Sequence, residues 1–104
     1  MDSDIGVRVA RGVYHNPGME IRVGHWCGRV GMSLGESRVW FRTPDAHATG
    51  LSLCRKATTL TPGEFVVLRV NGHDVPLAAG DAVRIGGALL RKADAADDWQ
   101  RINH

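Results

Sequence analysis

The sequence of 104 residues is poor in lysine, in cysteine and in long apolar runs, and each shortage excludes something. No apolar run approaches the roughly 18 residues that span a bilayer, so no membrane-spanning helix is predicted. Two cysteines, Cys27 and Cys54, cannot build a disulfide framework. In a reducing compartment they are expected to be free and buried, with a Cys27–Cys54 disulfide or a shared metal as the alternatives. The opening Met1-Asp2-Ser3-Asp4 lacks the basic region and apolar stretch of a signal peptide. It points to a cytoplasmic or virion protein rather than a secreted one. The thirteen glycines keep no fixed period, which excludes a collagen-like chain. Near-balanced charge and 43% hydrophobic content argue against disorder, and the length fits one domain spanning 1–104. Lys56 and Lys92 are the only lysines, so the basic residues are almost all arginine. The formal charge of +2 is too small to imply nucleic-acid binding by itself.

What is present is a succession of short apolar or alternating stretches closed by glycine-containing turns. Val7 and Val9 alternate with Arg8, and Asn16-Pro17-Gly18 reads as a turn. Met19 to Val23 reads as a strand with Met19, Ile21 and Val23 on one face. Arg29 to Leu34 and Arg38 to Arg42 flank Gly35-Glu36 as a hairpin, with Val39 and Phe41 opposite Arg38, Trp40 and Arg42. Thr43 to Gly50 reads as a loop, and Leu51 to Arg55 as another strand. Phe65 to Val70, Asn71-Gly72 and Asp74 to Leu77 form the strongest hairpin signal, because a type I′ turn needs positive φ at both central positions. Pro76 places the return strand at an edge. Ala79-Gly80-Asp81 reads as a turn, Val83 and Ile85 as a strand, Gly86-Gly87 as a tight turn and Ala88 to Arg91 as the return. Asp94 is positioned to cap a short helix through Asn103, with Trp99 and Ile102 on one face. No true repeat is visible beyond the recurring hairpin. The expected fold class is all-β: a small barrel or sandwich of short antiparallel hairpins with a short C-terminal helix.

The chemistry-bearing residues do not assemble an enzyme. Gly31-Met32-Ser33-Leu34-Gly35 matches G-x-S-x-G, but that motif needs a strand-to-helix elbow with a downstream acid and histidine, in a much longer fold. His25-x-Cys27 is the only close pair among His15, His25, Cys27, His47, Cys54 and His73, and structural zinc sites usually need two pairs. Asp97-Asp98 reads as a solvated helix start. No glycine-rich segment has Walker or dinucleotide spacing. No catalytic residue, cofactor or metal is therefore expected.

The arginines are the functional hint. Arg38, Trp40 and Arg42 share one strand face, and Arg22, Arg55, Arg69, Arg84 and Arg91 fall on other expected strands. Arginine beside an exposed aromatic suits phosphates and stacked bases, and equally suits protein interfaces. The same side chains would also cover a soluble sheet face with their long apolar stems. The candidate interaction residues are Arg22, Arg38, Trp40, Arg42, Arg55 and Arg84.

Two family patterns follow from particular segments. Arg11-Gly12-Val13-Tyr14 with the turn at Asn16-Pro17, Val39 to Asp45, and Gly80 to Gly87 resemble the early strand, middle strand and later Gly-Asp hairpin of the small head–tail joining proteins of lambda-like phages. That resemblance implies a β-barrel subunit that forms a ring and seals the connector to the tail. Leu51 to Lys56, Val83 to Gly86 and Trp99 to Ile102 resemble the first strand, fourth strand and terminal helix of the carbon-storage-regulator type of RNA-binding protein. The leading expectation is a non-enzymatic assembly protein, a phage virion component with protein partners that forms a homo-oligomer or larger assembly. The alternatives are a nucleic-acid-binding small barrel and an inhibitor or adaptor that docks one host protein. Neither a membrane nor a small-molecule substrate is expected.

Overall fold

The computed structural model describes residues 5–103, and the acidic opening read above lies outside the described residues. The elements run β1 (Ile5–Arg11), β2 (Ile21–Trp26), β3 (Arg29–Leu34), β4 (Ser37–Phe41), α1 (Thr43–Ala57), β5 (Glu64–Val70), β6 (His73–Leu77) and α2 (Ala79–Ile102). They form two antiparallel sheets of three strands, in the orders β2-β3-β4 and β1-β5-β6. The all-β expectation is thus wrong. Among the described residues the protein is a mixed α/β fold with two open sheets and two helices and no closed barrel.

The strands follow the alternation in the sequence. Val30, Met32, Leu34, Val39 and Phe41 are buried on the inner face of the first sheet, and Val66, Leu68, Val70, Val75 and Leu77 on that of the second. Asn71 (φ 48°) and Gly72 (φ 83°) adopt the two positive φ values that a type I′ hairpin requires. Strand β6, which contains Pro76, lies at the edge of its sheet, where a missing N–H breaks no ladder bond.

The helices are where the sequence pattern misled. Residues 43–50, expected as a loop, and Leu51 to Arg55, expected as a strand, are the single helix α1. Leu51 is 44% exposed while Leu53 is fully buried, because two residues along a helix lie on nearly opposite sides of it. The buried positions Ala46, Thr49, Gly50, Leu53 and Ala57 trace one stripe of a 3.6-residue period. Pro44 sits in the first turn, where the absent N–H costs nothing. The same error recurs at Val83, 45% exposed beside the buried Ile85. The expected Gly86-Gly87 hairpin lies within α2, which runs unbroken for 24 residues, so Asp94 is a mid-helix residue rather than a cap. Gly86 is in a helix because it packs against another one.

That packing exposes an internal repeat. A Cβ on Gly50 would lie 2.8 Å from the Gly86 carbonyl oxygen and 2.9 Å from Leu90, and a Cβ on Gly86 would lie 2.8 Å from both the Gly50 carbonyl oxygen and Cys54. The two contacts mirror one another, so α1 and α2 cross at a pair of equivalent glycines. Residues thirty-six apart then match in sequence: Val39 with Val75, Asp45-Ala46 with Asp81-Ala82, Gly50 with Gly86, Leu53 with Leu89, and Arg55-Lys56-Ala57 with Arg91-Lys92-Ala93. Leu34 and Val70 are equivalent in the same way, and their partners Ile21 and Ile5 make β2 and β1 the matching third strands. Each helix packs chiefly on the sheet of the other half, α1 on β1 and β5, α2 on β2 and β3. The halves therefore share one core, which joins Met32 and Phe41 of the first sheet to Leu68 of the second through Leu53, Ile85 and Leu89.

Among the described residues no helix is long and apolar enough to cross a membrane.

Candidate interaction face

The first sheet turns one face to the helices and the other outward. Cross-strand register orders the outer face in rows. Arg22, Ser33 and Arg38 form one row, and Gly24, Gly31 and Trp40 the next. Trp26 and Arg29 pair in a third row, where Arg42 continues just beyond β4. This parity follows from the inner positions, since Ile21, Val30, Met32, Leu34, Val39 and Phe41 occupy the alternate places. No aspartate or glutamate occurs among these outer positions.

The charges on this face are lightly compensated. Arg22 pairs with Glu20 at 2.7 Å. Among the described residues no ion pair engages Arg29, Arg38 or Arg42. The Arg38 guanidinium lies 5.9 Å from the centre of the Trp40 ring, a cation–π placement. Trp26 and Trp40 are 69% and 41% exposed, with ring centres 6.4 Å apart and planes inclined by 36°. Trp40 lies across Gly31, where a Cβ would come 3.0 Å from the indole. Between the two indoles, over the glycine row, is an open groove of about 230 Å³. On the other side of Trp40 is a second cavity of about 450 Å³ that includes Arg29, Arg42, Thr43 and Gln100. Gln100 Nε2 donates to the Gly28 carbonyl at 2.8 Å and so ties the end of α2 to the β2–β3 turn.

Of the six residues singled out in the sequence, Arg22, Arg38, Trp40 and Arg42 come together here. Arg55 and Arg84 do not. Both are on helices rather than strands, Arg55 in the last turn of α1 and Arg84 beside Asp81 at 3.5 Å. Trp26 and Arg29 belong to the face and were not singled out: alternation with Val30 places Arg29 there, whereas the expected strand ends at Val23, short of Trp26.

The remaining candidates disperse. Ser33 is a mid-strand residue of β3 with no helix after it, so the G-x-S-x-G match forms no elbow. Cys27 and Cys54 are free, and Cys27 is exposed rather than buried, at φ 50° in the β2–β3 turn. Among the described residues, three potential metal donors converge only at His47, Asp94 and Asp97, which include neither His25 nor a cysteine. His47 Nε2 lies 3.4 Å from Asp94 and 3.3 Å from Asp97, a polar clasp between α1 and α2 on the exposed surface.

No family model, curated protein or solved structure matches the chain.

Proposed function

We propose that the chain is a non-enzymatic binding module that holds single-stranded nucleic acid on the outer face of β2-β3-β4. One observation carries this reading: four arginines and two exposed tryptophans share one sheet face on which, among the described residues, only Arg22 has an ion-pair partner, Glu20. Arginine forks match phosphate oxygens, and exposed indoles offer stacking planes worth about 1–3 kcal/mol per base. Such a face also exposes more apolar ring surface than a surface of purely structural role requires. A sheet platform of three strands presents these groups without deformation of a duplex groove, which favours single strands.

Fluorescence anisotropy with a labelled single-stranded oligonucleotide tests the reading. Binding should weaken steeply with salt, with a log–log slope of about −2 to −3 if three or four phosphates are engaged. Trp40→Ala should weaken it about 5- to 150-fold, the equivalent of one lost stacking partner. Absence of binding at low salt to both RNA and DNA single strands refutes the reading.

A second reading, assembly into a larger protein structure, is favoured by the open sheets, whose edges at β2 and β4 pair with no other strand among the described residues. The connector resemblance that suggested it includes Gly80 to Gly87, which are part of α2 rather than a hairpin. The carbon-storage-regulator resemblance likewise includes Leu51 to Lys56 and Val83 to Gly86, which are helical. Light scattering separates the two readings, because assembly through edges predicts an oligomer without nucleic acid.

A further inference from the structure

Trp40 is a wall of both cavities on the candidate face, and each cavity also contains two arginines, Arg22 and Arg38 in one and Arg29 and Arg42 in the other. The groove has a floor of bare strand backbone at Gly24, beside Gly31, which the Trp40 indole covers. It is bounded by two indoles and is lined as well by Arg22, Arg38, His25 and the hydroxyl of Ser33. Its indoles offer stacking planes to a heteroaromatic ring, and Arg22, Arg38 and Ser33 offer polar groups to the ring's edge. The cavity on the other side has Arg29 and Arg42, one residue beyond the Val30–Phe41 pair of β3 and β4. Two like charges opposite one another on adjacent strands are destabilising unless an anion lies between them. Among the described residues no carboxylate fills that role. The Gly24–Gly31–Trp40 row and the Arg29–Arg42 pair are two residues apart along the strands, about 6.7 Å, the span of one sugar between a base and its phosphate.

From this juxtaposition, and resting on the nucleic-acid reading above, we infer that the unit recognised is one nucleotide. Its base stacks on the exposed indoles of Trp26 and Trp40 at the groove, and its phosphate sits between Arg29 and Arg42. The groove admits one ring at a time, so sequence preference is confined to one position, where Ser33 is within the pocket that meets the base edge. The ligand chemistry is a nucleoside monophosphate, free or within a strand.

Gly24 makes the inference testable without harm to the fold. A Cβ built there meets nothing within 4 Å and its φ is ordinary for a strand, so Gly24→Val fills the groove without a clash. β-branched residues also favour strands over glycine. The experiment titrates wild type, Gly24→Val and Arg29→Ala/Arg42→Ala with uridine, with uridine monophosphate and with an oligouridylate, by tryptophan quenching. Thermal melts confirm that each variant folds. The expected result is that the monophosphate binds wild type at least tenfold more tightly than the nucleoside. Gly24→Val should abolish binding of both and weaken the oligomer at least tenfold. The double arginine variant should bind monophosphate no better than nucleoside. Full oligomer binding by Gly24→Val, or equal binding of monophosphate and nucleoside by wild type, overturns the single-nucleotide site and leaves strand binding intact. Failure of wild type to bind the oligomer overturns both, and capture of an acidic peptide in its place would assign the face to protein.

Discussion

Gly86 and Gly87 are neighbours in one helix, yet replacement of each by alanine should move stability in opposite directions. At Gly87 an added Cβ meets only the end of the Arg91 side chain, at 3.2 Å, which can swing away. The substitution then yields the helix-propensity gain of about 0.8–1.0 kcal/mol. At Gly86 the same Cβ meets the Gly50 carbonyl oxygen at 2.8 Å, Cys54 at 2.8 Å and the Leu53 Cβ at 3.1 Å. The carbonyl belongs to the backbone of α1 and cannot rotate away, so the helices must separate across a core that contains Leu53, Ile85 and Leu89. Overpacking of this kind costs about 1–3 kcal/mol, with a backbone obstacle placing it at the upper end. Less the propensity gain, Gly86→Ala should lose about 2 kcal/mol. For a domain of this size that is a fall in Tm of roughly 10 °C, against a rise of about 4–8 °C for Gly87→Ala. Gly50→Ala should match Gly86→Ala, because the contact is reciprocal. The double variant should lose less than the two losses added, since the first substitution already parts the backbones. Circular dichroism at 222 nm during urea and thermal unfolding measures all four. A Gly86→Ala protein as stable as wild type would refute the glycine crossing and with it the equivalence of the two halves.

Two further outcomes follow from surface chemistry. Glu64 accepts the Thr61 N–H at 2.8 Å and pairs with Arg11 at 3.2 Å, and the Thr61 hydrogen bonds, followed by the Arg11 charge, hold its carboxyl below the ordinary value of 4.5. A depressed folded pKa contributes stability that is present above 4.5 and lost as pH falls through the folded value, so the urea midpoints of wild type and Glu64→Gln should differ above 4.5 and converge below it. A difference that stays constant with pH would refute that role. Arg38→Asp places on the first sheet the acid that the second sheet has in Asp74. It should leave the urea midpoint within about 0.5 kcal/mol of wild type, as surface substitutions do, while oligonucleotide affinity measured by anisotropy falls more than tenfold.

The strands were legible because their signals are local. Alternation in Val30, Met32 and Leu34 against Arg29, Gly31 and Ser33 settles which side is buried, and Asn71-Gly72 has few conformations other than the turn it makes. The helices were hidden because their decisive contacts are distant in sequence. Glycine weakens an isolated helix, so Gly50, Gly86 and Gly87 read as punctuation until α1 and α2 are seen to touch through two of them. Leu51 with Leu53, and Val83 with Ile85, imitate a strand over three residues, and the stripe from Ala46 to Ala57 shows itself only over eleven. The internal repeat escaped for a related reason. Its matching residues are small or common ones, Ala, Gly, Leu, Arg and Lys, and the surface residues between them have diverged. The face was partly legible: Arg22, Arg38, Trp40 and Arg42 were visible from strand parity. Arg55 and Arg84 were assigned to it only because their helices were read as strands.

The repeat also supplies a comparison within the molecule. Both sheets have three strands, the same pairing pattern and a helix across the inner face, so whatever the fold itself requires of an outer face should be common to both. On the second sheet Asp74 takes the place of Arg38 and Pro76 that of Trp40, and Val67 and Phe65 replace Gly31 and Arg29. Asp74 is 3.3 Å from Arg69 and 4.0 Å from Arg8, so charge there is compensated. Val67 is buried, and Phe65 is covered by an edge contact with Tyr14, ring centres 5.6 Å apart. Among the described residues that face has no pair of exposed indoles. A stable sheet of this design needs neither unpaired arginines nor bare tryptophans, and both carry a cost in repulsion and exposed apolar area. Their concentration on one of two equivalent faces is therefore not explained by folding, and the proposed nucleic-acid ligand, with its negative charge and aromatic rings, would account for both together.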